Sequence, residues 1–156
     1  MQYLNYDRTA TFGQIKSELV RLVSEEFLTQ QQADAVRPEQ LLAVFQGALG
    51  ARIRAARKVI REFKFSLLTD AGDYYPEAAG EQLMLQGVVD CCLLNPEGIT
   101  VIDFKTDRVT PGGEEQAALR YKGQLQAYSQ ALQRIFHLPV LERIVWFFAT
   151  GTAVML

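Results

Sequence analysis

The stretch GVVDCCLLNPEGITVIDFKT, residues 87–106, reads as two strands joined by the turn NPEG, which has Pro at its second position and Gly at its fourth. Both strands are apolar on both faces apart from three charged residues, Asp90, Asp103 and Lys105. A hairpin of this kind indicates a central sheet that is covered by helices. Because the burial of an unpaired charge is costly, the three charges need an explanation.

The length of the turn determines which residues of the two strands face each other. If Asn95 and Gly98 flank a two-residue loop, Asp90 lies directly opposite Asp103 with Cβ atoms about 5 Å apart. Lys105 then shares their face of the sheet. Two carboxylates at that distance repel each other by about 3 kcal/mol at an effective dielectric constant of about 20. A longer turn would shift this register.

A divalent cation between the two carboxylates would turn their repulsion into attraction. Ligands that are all oxygen favour Mg²⁺ or Mn²⁺ over zinc, and Mg²⁺ usually recruits a substrate phosphate. A metal-bound water can attack phosphorus, and Lys105 would orient that water or neutralise charge on the phosphate. The pattern therefore predicts metal-dependent phosphodiester hydrolysis. The alternative is a surface pair of Asp103 and Lys105 with an unrelated Asp90.

The composition is that of a globular protein, with 156 residues, 49% hydrophobic residues and 22% charged residues. A net charge of -2 means that nucleic-acid binding would need a local patch, a metal or a neighbouring domain. The chain has only two cysteines, Cys91 and Cys92, so a four-cysteine metal site is excluded. Because they are adjacent, they are predicted to be buried free thiols. Because no membrane-length apolar run and no signal peptide are present, we expect a cytoplasmic protein without a membrane partner.

Hydrophobic spacing predicts the order of helices and strands along the chain. Thr11 and Gln14 are predicted to form a capping box, and Pro38 is predicted to start a second helix. Helices are predicted at 9–28, 37–50, 51–58 and 114–136, and strands at 59–69, 82–94, 99–106, 143–149 and 152–156. The prediction is a single α/β domain, 1–156, with a mixed central β-sheet flanked by helices. It has a helical N-terminal part, 1–58, and a core of sheet and long helix, 59–156.

Several motifs resemble one family. GVVD, a turn and VIDFKTD resemble the PD-(D/E)xK nuclease motif of the RecB-like branch, in which G-x-(I/V)-D precedes (I/V)-D-(Y/F)-K-T. YKGQLQAYSQAL, at 121–132, is similar to the Q-x-x-x-Y helix motif of that branch. REFKFSLL, at 61–68, is similar to the R-E-x-P-F-S strand of the AddA family, the helicase–nuclease subunits of bacterial AddAB complexes. The helical stretch at 15–36 also resembles that family, so the resemblance covers nearly the whole chain.

The resemblance implies a restriction-endonuclease-like core and the C-terminal nuclease domain of an ATP-dependent DNA helicase/exonuclease in double-strand-break repair and recombination. It implies Mg²⁺ or Mn²⁺ as the cofactor, and DNA and an AddB-type subunit as partners. ATP would be used only by a helicase part outside this chain, since no Walker A motif is present. The implied catalytic residues are Asp90, Asp103, Lys105, Gln124 and Tyr128. The implied metal ligands are Asp90, Asp103 and the backbone carbonyl of Phe104.

One departure from the family concerns histidine. The family carries a metal-binding histidine on an early helix in a G-T-x-x-H context, and MQYLNY at the start of this chain resembles the stretch just after it. The only histidine, His137, follows the long helix and is expected to lie at its end. We therefore interpret the chain as a fragment cut downstream of that ligand, and we expect the fragment to bind metal less well and to be less active.

The segment RIRAARKVIREFK, at 52–64, is strongly basic. Arg52, Arg57 and Arg61 are candidates for contacts with a DNA backbone, with a solvated surface as the alternative. Glu62 is expected to be an ordinary strand residue. Two other functions remain open from the residues alone: a domain that binds DNA or a partner subunit without cutting, and a structural module for a divalent cation.

Overall fold

The predicted hairpin forms the centre of a single β-sheet. A computed structural model describes all 156 residues, and its five strands form one sheet in the order β1-β2-β3-β4-β5. The strands are β1 (Lys58–Asp70), β2 (Gln82–Asn95), β3 (Gly98–Lys105), β4 (Val140–Phe147) and β5 (Thr152–Met155). Strands β3 and β4 are parallel and the other neighbours are antiparallel, so the sheet is mixed, as predicted.

Most of the helices match the predicted segments. They are α1 (Phe12–Ser24), α2 (Gln30–Ala35), α3 (Pro38–Gln46), α4 (Ala48–Ala55), α5 (Glu114–Ala118) and α6 (Lys122–Phe136). The predicted capping box starts α1, where Gln14 N donates to Thr11 Oγ1 at 3.2 Å and Thr11 N donates to Gln14 Oε1 at 3.1 Å. None of the helices is long and apolar enough to cross a membrane.

Three helical details differ from the prediction. Helix α2 was not predicted, because its sequence QQQADA buries only Ala33 and carries no apolar period. Helix α4 begins and ends three residues earlier than predicted, directly after Gly47 ends α3. The predicted helix at 114–136 is interrupted by a 3₁₀ turn at Leu119–Tyr121. The 3- and 4-residue spacing of its apolar residues predicts a buried stripe that includes Tyr121 and Ile135, but Ile135 is 38% exposed.

Helices cover both faces of the sheet, as the apolar hairpin predicts. One apolar cluster lies between the sheet and α5 and α6, and includes Val89, Cys92, Val101, Leu125 and Leu132. A second lies between the sheet and the N-terminal helices, and includes Leu22, Phe45, Cys91, Ile102 and Trp146. The adjacent cysteines thus point into different clusters, and burial raises the pKa of Cys91 to about 12 and that of Cys92 to about 11.

The regular alternation of faces breaks in β2 next to Asp90. Val89 and Cys92 are three residues apart, yet both pack in the cluster beneath α6. On β1, Glu62 lies across from Asp90 and has a left-handed φ of 51°. A non-glycine residue in that region is strained and is held there by its surroundings. Glu62 is therefore not the ordinary strand residue that we expected, and the break changes the direction in which Asp90 points.

Candidate active site

The predicted register of the hairpin is confirmed over most of its length. Asn95 pairs with Gly98 around the two-residue turn, and the ladder continues to the pair Cys91–Ile102. It stops there, one step before Asp90 and Asp103 would pair. The Asp90 carboxylate instead accepts a hydrogen bond of 2.9 Å from the backbone N–H of Phe104 through Oδ2. Asp90 thus binds the residue next to Asp103, because the break in alternation turns its side chain toward β3.

Asp103 is the most buried charged group of the site, with 2% of its surface exposed. Its Oδ2 atom accepts no aligned hydrogen bond, and the Lys105 ammonium lies 2.7 Å from it as an ion pair. Burial raises the pKa of the Asp103 carboxyl, Lys105 opposes that rise, and the negative charges of Asp90 and Asp107 add to it. The site therefore holds a buried carboxylate whose charge is balanced by Lys105, close to a second carboxylate.

Lys105 connects the sheet to helix α6. Its Nζ atom lies 3.3 Å from Gln124 Oε1, and Gln124 Nε2 donates to the Tyr128 hydroxyl at 2.7 Å. Gln124 and Tyr128 lie one turn apart on α6, so their side chains meet on one side of the helix. Asp103, Lys105, Gln124 and Tyr128 form a continuous chain of polar contacts, and Asp90 joins it through the backbone of Phe104.

The glycine of the GVVD stretch makes room for Tyr128. A Cβ atom at Gly87 would lie 2.9 Å from Cε1 of Tyr128 and 2.8 Å from Cζ of Phe65. The two rings pack edge to face with their centroids 5.8 Å apart. The absence of a side chain at this position therefore sets how closely the Tyr128 ring approaches β2.

Two residues of the site were not identified from the sequence. The ring centroid of Tyr121 lies 4.2 Å from Lys105 Nζ. Burial raises the pKa of the Tyr121 hydroxyl, and the nearby Asp107 carboxylate adds to the rise. Hydrophobic spacing assigned Tyr121 only to the apolar stripe of the helix, and that spacing carries no signal for a cation on its face. Asp107 follows β3 outside any regular element, so no periodic pattern marks it.

The side chains fit the divalent cation that the resemblance implies. The candidate donors are all oxygen, and the buried Oδ2 atom of Asp103 has no partner other than the Lys105 ammonium. No group of three or more His, Cys, Asp or Glu side chains converges in the structure. Two carboxylates without a third match a hard cation that retains water molecules better than they match zinc. The ligand role of the Phe104 carbonyl stays a prediction.

His137 lies away from these carboxylates. It follows the last residue of α6 with a left-handed φ of 55°, whereas Gln124 lies in the first turn of that helix. It thus lies at the helix end where the sequence predicted it. The chain has no other histidine to offer to the site.

The three arginines that are predicted to contact DNA lie outside the chain of polar contacts that joins the catalytic candidates. Arg52 forms an ion pair with Glu142 and also donates to Thr100. Arg61 donates to the carbonyl of Leu4 at 2.5 Å and lies over the ring of Tyr6. Arg57 is exposed beside the hairpin turn, at the opposite end of β3 from Lys105. Arg52 and Arg61 thus have partners within the protein, and a DNA contact of any of the three stays a prediction.

Comparison with curated proteins finds long helicase/nuclease proteins. The chain is 38% identical over 156 residues to the A subunit of the ATP-dependent helicase/nuclease of Desulforudis audaxviator, with 98% of this chain and 13% of that protein covered. It is 36% identical over 158 residues to the protein of the same name in Bacillus mycoides, with 95% of this chain and 13% of that protein covered. The chain therefore spans about an eighth of the length of these relatives.

Comparison with solved structures and with family profiles gives two further matches. A crystal structure of the protein SSO0001 superposes with a TM-score of 0.46 and 20% identity, over 88% of this chain and 60% of that one. The profile of the PD-(D/E)XK nuclease superfamily matches residues 6–154, which include every catalytic candidate. With its mixed sheet, its Asp90, Asp103 and Lys105, and helicase/nuclease subunits among its relatives, the chain belongs to the PD-(D/E)XK nuclease superfamily.

Proposed function

We propose that this chain hydrolyses phosphodiester bonds of DNA with Mg²⁺ or Mn²⁺ bound by Asp90 and Asp103. The observation that carries the proposal is the buried carboxylate of Asp103, which has the Lys105 ammonium at 2.7 Å from its Oδ2 atom and the negative charge of Asp90 nearby. A carboxylate of this kind is costly to stability alone, and it is explained by a cation that completes its environment.

Each residue has a distinct part in this reaction. When bound, the cation would supply a water of lowered pKa and positive charge close to the phosphate. Lys105 would stabilise the negative charge that builds up on the phosphate oxygens. Gln124 accepts from Lys105 and donates to Tyr128, so the two residues of α6 hold the ammonium in position. The Phe104 N–H orients Asp90 through its hydrogen bond.

The relatives support a larger context for this activity. We infer that the chain is the nuclease domain of an ATP-dependent helicase/exonuclease that acts in the cytoplasm in double-strand-break repair and recombination. ATP would be used by a helicase part outside this chain, and an AddB-type subunit would be the partner. This inference rests on relatives of which the chain covers 13%.

The proposal is tested by cleavage of single-stranded DNA by the chain and by the intact helicase/nuclease protein that we infer carries it. We expect cleavage that requires Mg²⁺ or Mn²⁺ and falls by at least about 100-fold in Asp103→Asn and in Lys105→Ala. Asp34→Asn and Lys16→Ala are matched controls, since both residues are exposed and lie outside the site. Wild-type cleavage that persists at full rate in a chelator would overturn the proposal.

The two rival functions give different results in the same assay. A structural cation module would bind the cation with or without Lys105, and the intact protein would not cut DNA. A binding-only domain would hold DNA tightly, and the intact protein would again leave it uncut. Cleavage that depends on both the cation and Lys105 excludes both rivals.

A further inference from the structure

A second positively charged site lies beside Lys105. After β3 the chain passes through a loop and α5 to the 3₁₀ turn at Leu119–Tyr121. Residues of this segment line an open pocket of about 400 Å³. Seven residues line the pocket, among them Arg108, Thr110, Gln116 and Arg120. None of the seven carries a carboxylate, so the pocket is polar and positive in a chain whose net charge is -2.

The two arginines of this pocket have no carboxylate partner, unlike four other arginines of the chain. Arg21, Arg52 and Arg134 each pair with a carboxylate, whereas no carboxylate lies within 4.0 Å of Arg108 or Arg120. Arg120 donates from Nε to the carbonyl of Ala117 at 3.3 Å, and its terminal nitrogens have no acceptor in the protein. This bond holds the guanidinium and leaves its outer edge free for a bidentate acceptor such as a phosphate.

Tyr121 links this pocket to the catalytic candidates. Lys105 Nζ lies 4.2 Å from the centroid of the Tyr121 ring, and Arg120 Cζ lies 5.8 Å from it. The two cations are therefore no more than about 10 Å apart, a separation that neighbouring phosphates of one nucleic-acid strand can bridge. Lys105 also pairs with Asp103 at 2.7 Å, and Asp107 lies by the Tyr121 hydroxyl, outside the pocket lining.

We propose that the pocket of Arg108 and Arg120 binds a backbone phosphate of the DNA strand that is cut, adjacent to the phosphate held at Lys105. The proposal rests on the proposed nuclease function and extends it to a second subsite. The contact is with the backbone, so it holds the strand in position without reading its sequence. It locates the path of the strand on the side of the sheet where α5 and α6 lie.

The test is the affinity of the chain for a single-stranded oligonucleotide of about 12 nucleotides, measured by fluorescence anisotropy in Ca²⁺ over a range of salt. We expect Arg108→Ala/Arg120→Ala to bind about threefold to tenfold more weakly than wild type. Each phosphate of a single strand that is no longer neutralised lowers the slope of log K against log salt by about 0.7, so the double variant, which loses one phosphate site, should lose about 0.7. In the intact protein, KM should rise by a similar factor while kcat stays unchanged.

The control is Lys16→Ala/Arg37→Ala, which removes the same charge from two exposed residues of the N-terminal helical part and should bind like wild type. If the pocket variant binds like wild type at every salt concentration, the arginines are merely solvated and the proposal is overturned. Equal weakening in both double variants would indicate a general charge effect and would also overturn it. Because binding is measured without cleavage, a wild type that does not cut DNA contradicts the proposed function and leaves this result readable.

Discussion

Lys105 and Asp103 form an ion pair of 2.7 Å between Nζ and Oδ2, in a place where both side chains are largely withdrawn from solvent. They lie two residues apart on β3 and share one face of the sheet. Buried ion pairs add little net stability, but the removal of one partner leaves an uncompensated charge. Lys105 is therefore the group that makes the buried carboxylate tolerable when no metal is bound.

We expect Lys105→Met to lower the free energy of unfolding by about 3 kcal/mol in metal-free buffer, since Asp103 then loses its counter-charge. The double variant Asp103→Asn/Lys105→Met should recover most of that loss. Urea unfolding of the four proteins in a double-mutant cycle measures the coupling. A coupling energy near zero would mean that the pair carries no weight in the stability of the fold.

Mg²⁺ should raise the thermal unfolding temperature of the chain, because a ligand that binds only the folded state stabilises it. At about 100 times its dissociation constant, a ligand adds about 2.7 kcal/mol. Asp103→Asn should abolish the shift, Asp34→Asn should keep it, and a chelator should reverse it. An equal shift in Asp103→Asn and wild type would indicate that the ion binds elsewhere.

Gly87→Ala should disturb the site without removing a polar group. The new Cβ would lie 2.8 Å from Phe65 Cζ and 2.9 Å from Tyr128 Cε1, so both rings must move. We expect a loss of about 1–3 kcal/mol in stability and a reduced cleavage rate, since Tyr128 holds Gln124. Gly123→Ala is the control, because a Cβ there meets nothing within 4 Å. A full cleavage rate in Gly87→Ala would show that the position of Tyr128 does not matter.

Local patterns predicted much of this molecule. The turn at Asn95–Gly98 fixed the hairpin register, because a two-residue loop leaves only one pairing, and the apolar hairpin predicted a sheet covered on both faces. The direction of Asp90 could not be predicted in this way. It depends on a break in face alternation opposite Glu62, which has a left-handed φ of 51° that no local pattern predicts.

The same limit applies to Tyr121. Its spacing along the helix is that of a core residue, and its ring does pack partly against the core. The side of the ring that meets Lys105 becomes visible only when β3 and the 3₁₀ turn are brought together in space. The hydrophobic periodicity of a helix therefore does not reveal which of its side chains contact a charged residue of another element.

Acid should destabilise the N-terminal layer through Glu18, whose side chain is fully buried. The hydrogen bonds from Arg21, and then the one from the Asn5 N–H at 3.1 Å, hold its pKa below the usual range. Stability from a carboxyl with a lowered pKa is present above its unfolded pKa and is lost as the pH falls through its folded pKa.

Glu18→Gln should therefore lower the free energy of unfolding by about 2–3 kcal/mol at neutral pH. Its free energy of unfolding should also fall less steeply than that of wild type as the pH is lowered. Urea unfolding as a function of pH checks this, with the exposed Glu39→Gln as the control. If the curves of wild type and Glu18→Gln run parallel down to acid pH, Glu18 does not titrate differently in the folded state.

The ring of Tyr121 offers a test of how Lys105 is held. Because the attraction comes from the ring face, at 4.2 Å, Tyr121→Phe should keep it and Tyr121→Leu should lose it. An attraction of about 1 kcal/mol predicts about a fivefold lower kcat in the leucine variant, with KM for DNA unchanged, since in the proposed function the lysine acts on the reacting phosphate. Steady-state cleavage of single-stranded DNA by the intact protein measures both constants. Equal losses in the phenylalanine and leucine variants would instead assign the effect to the hydroxyl beside Asp107, because that group is what both substitutions remove.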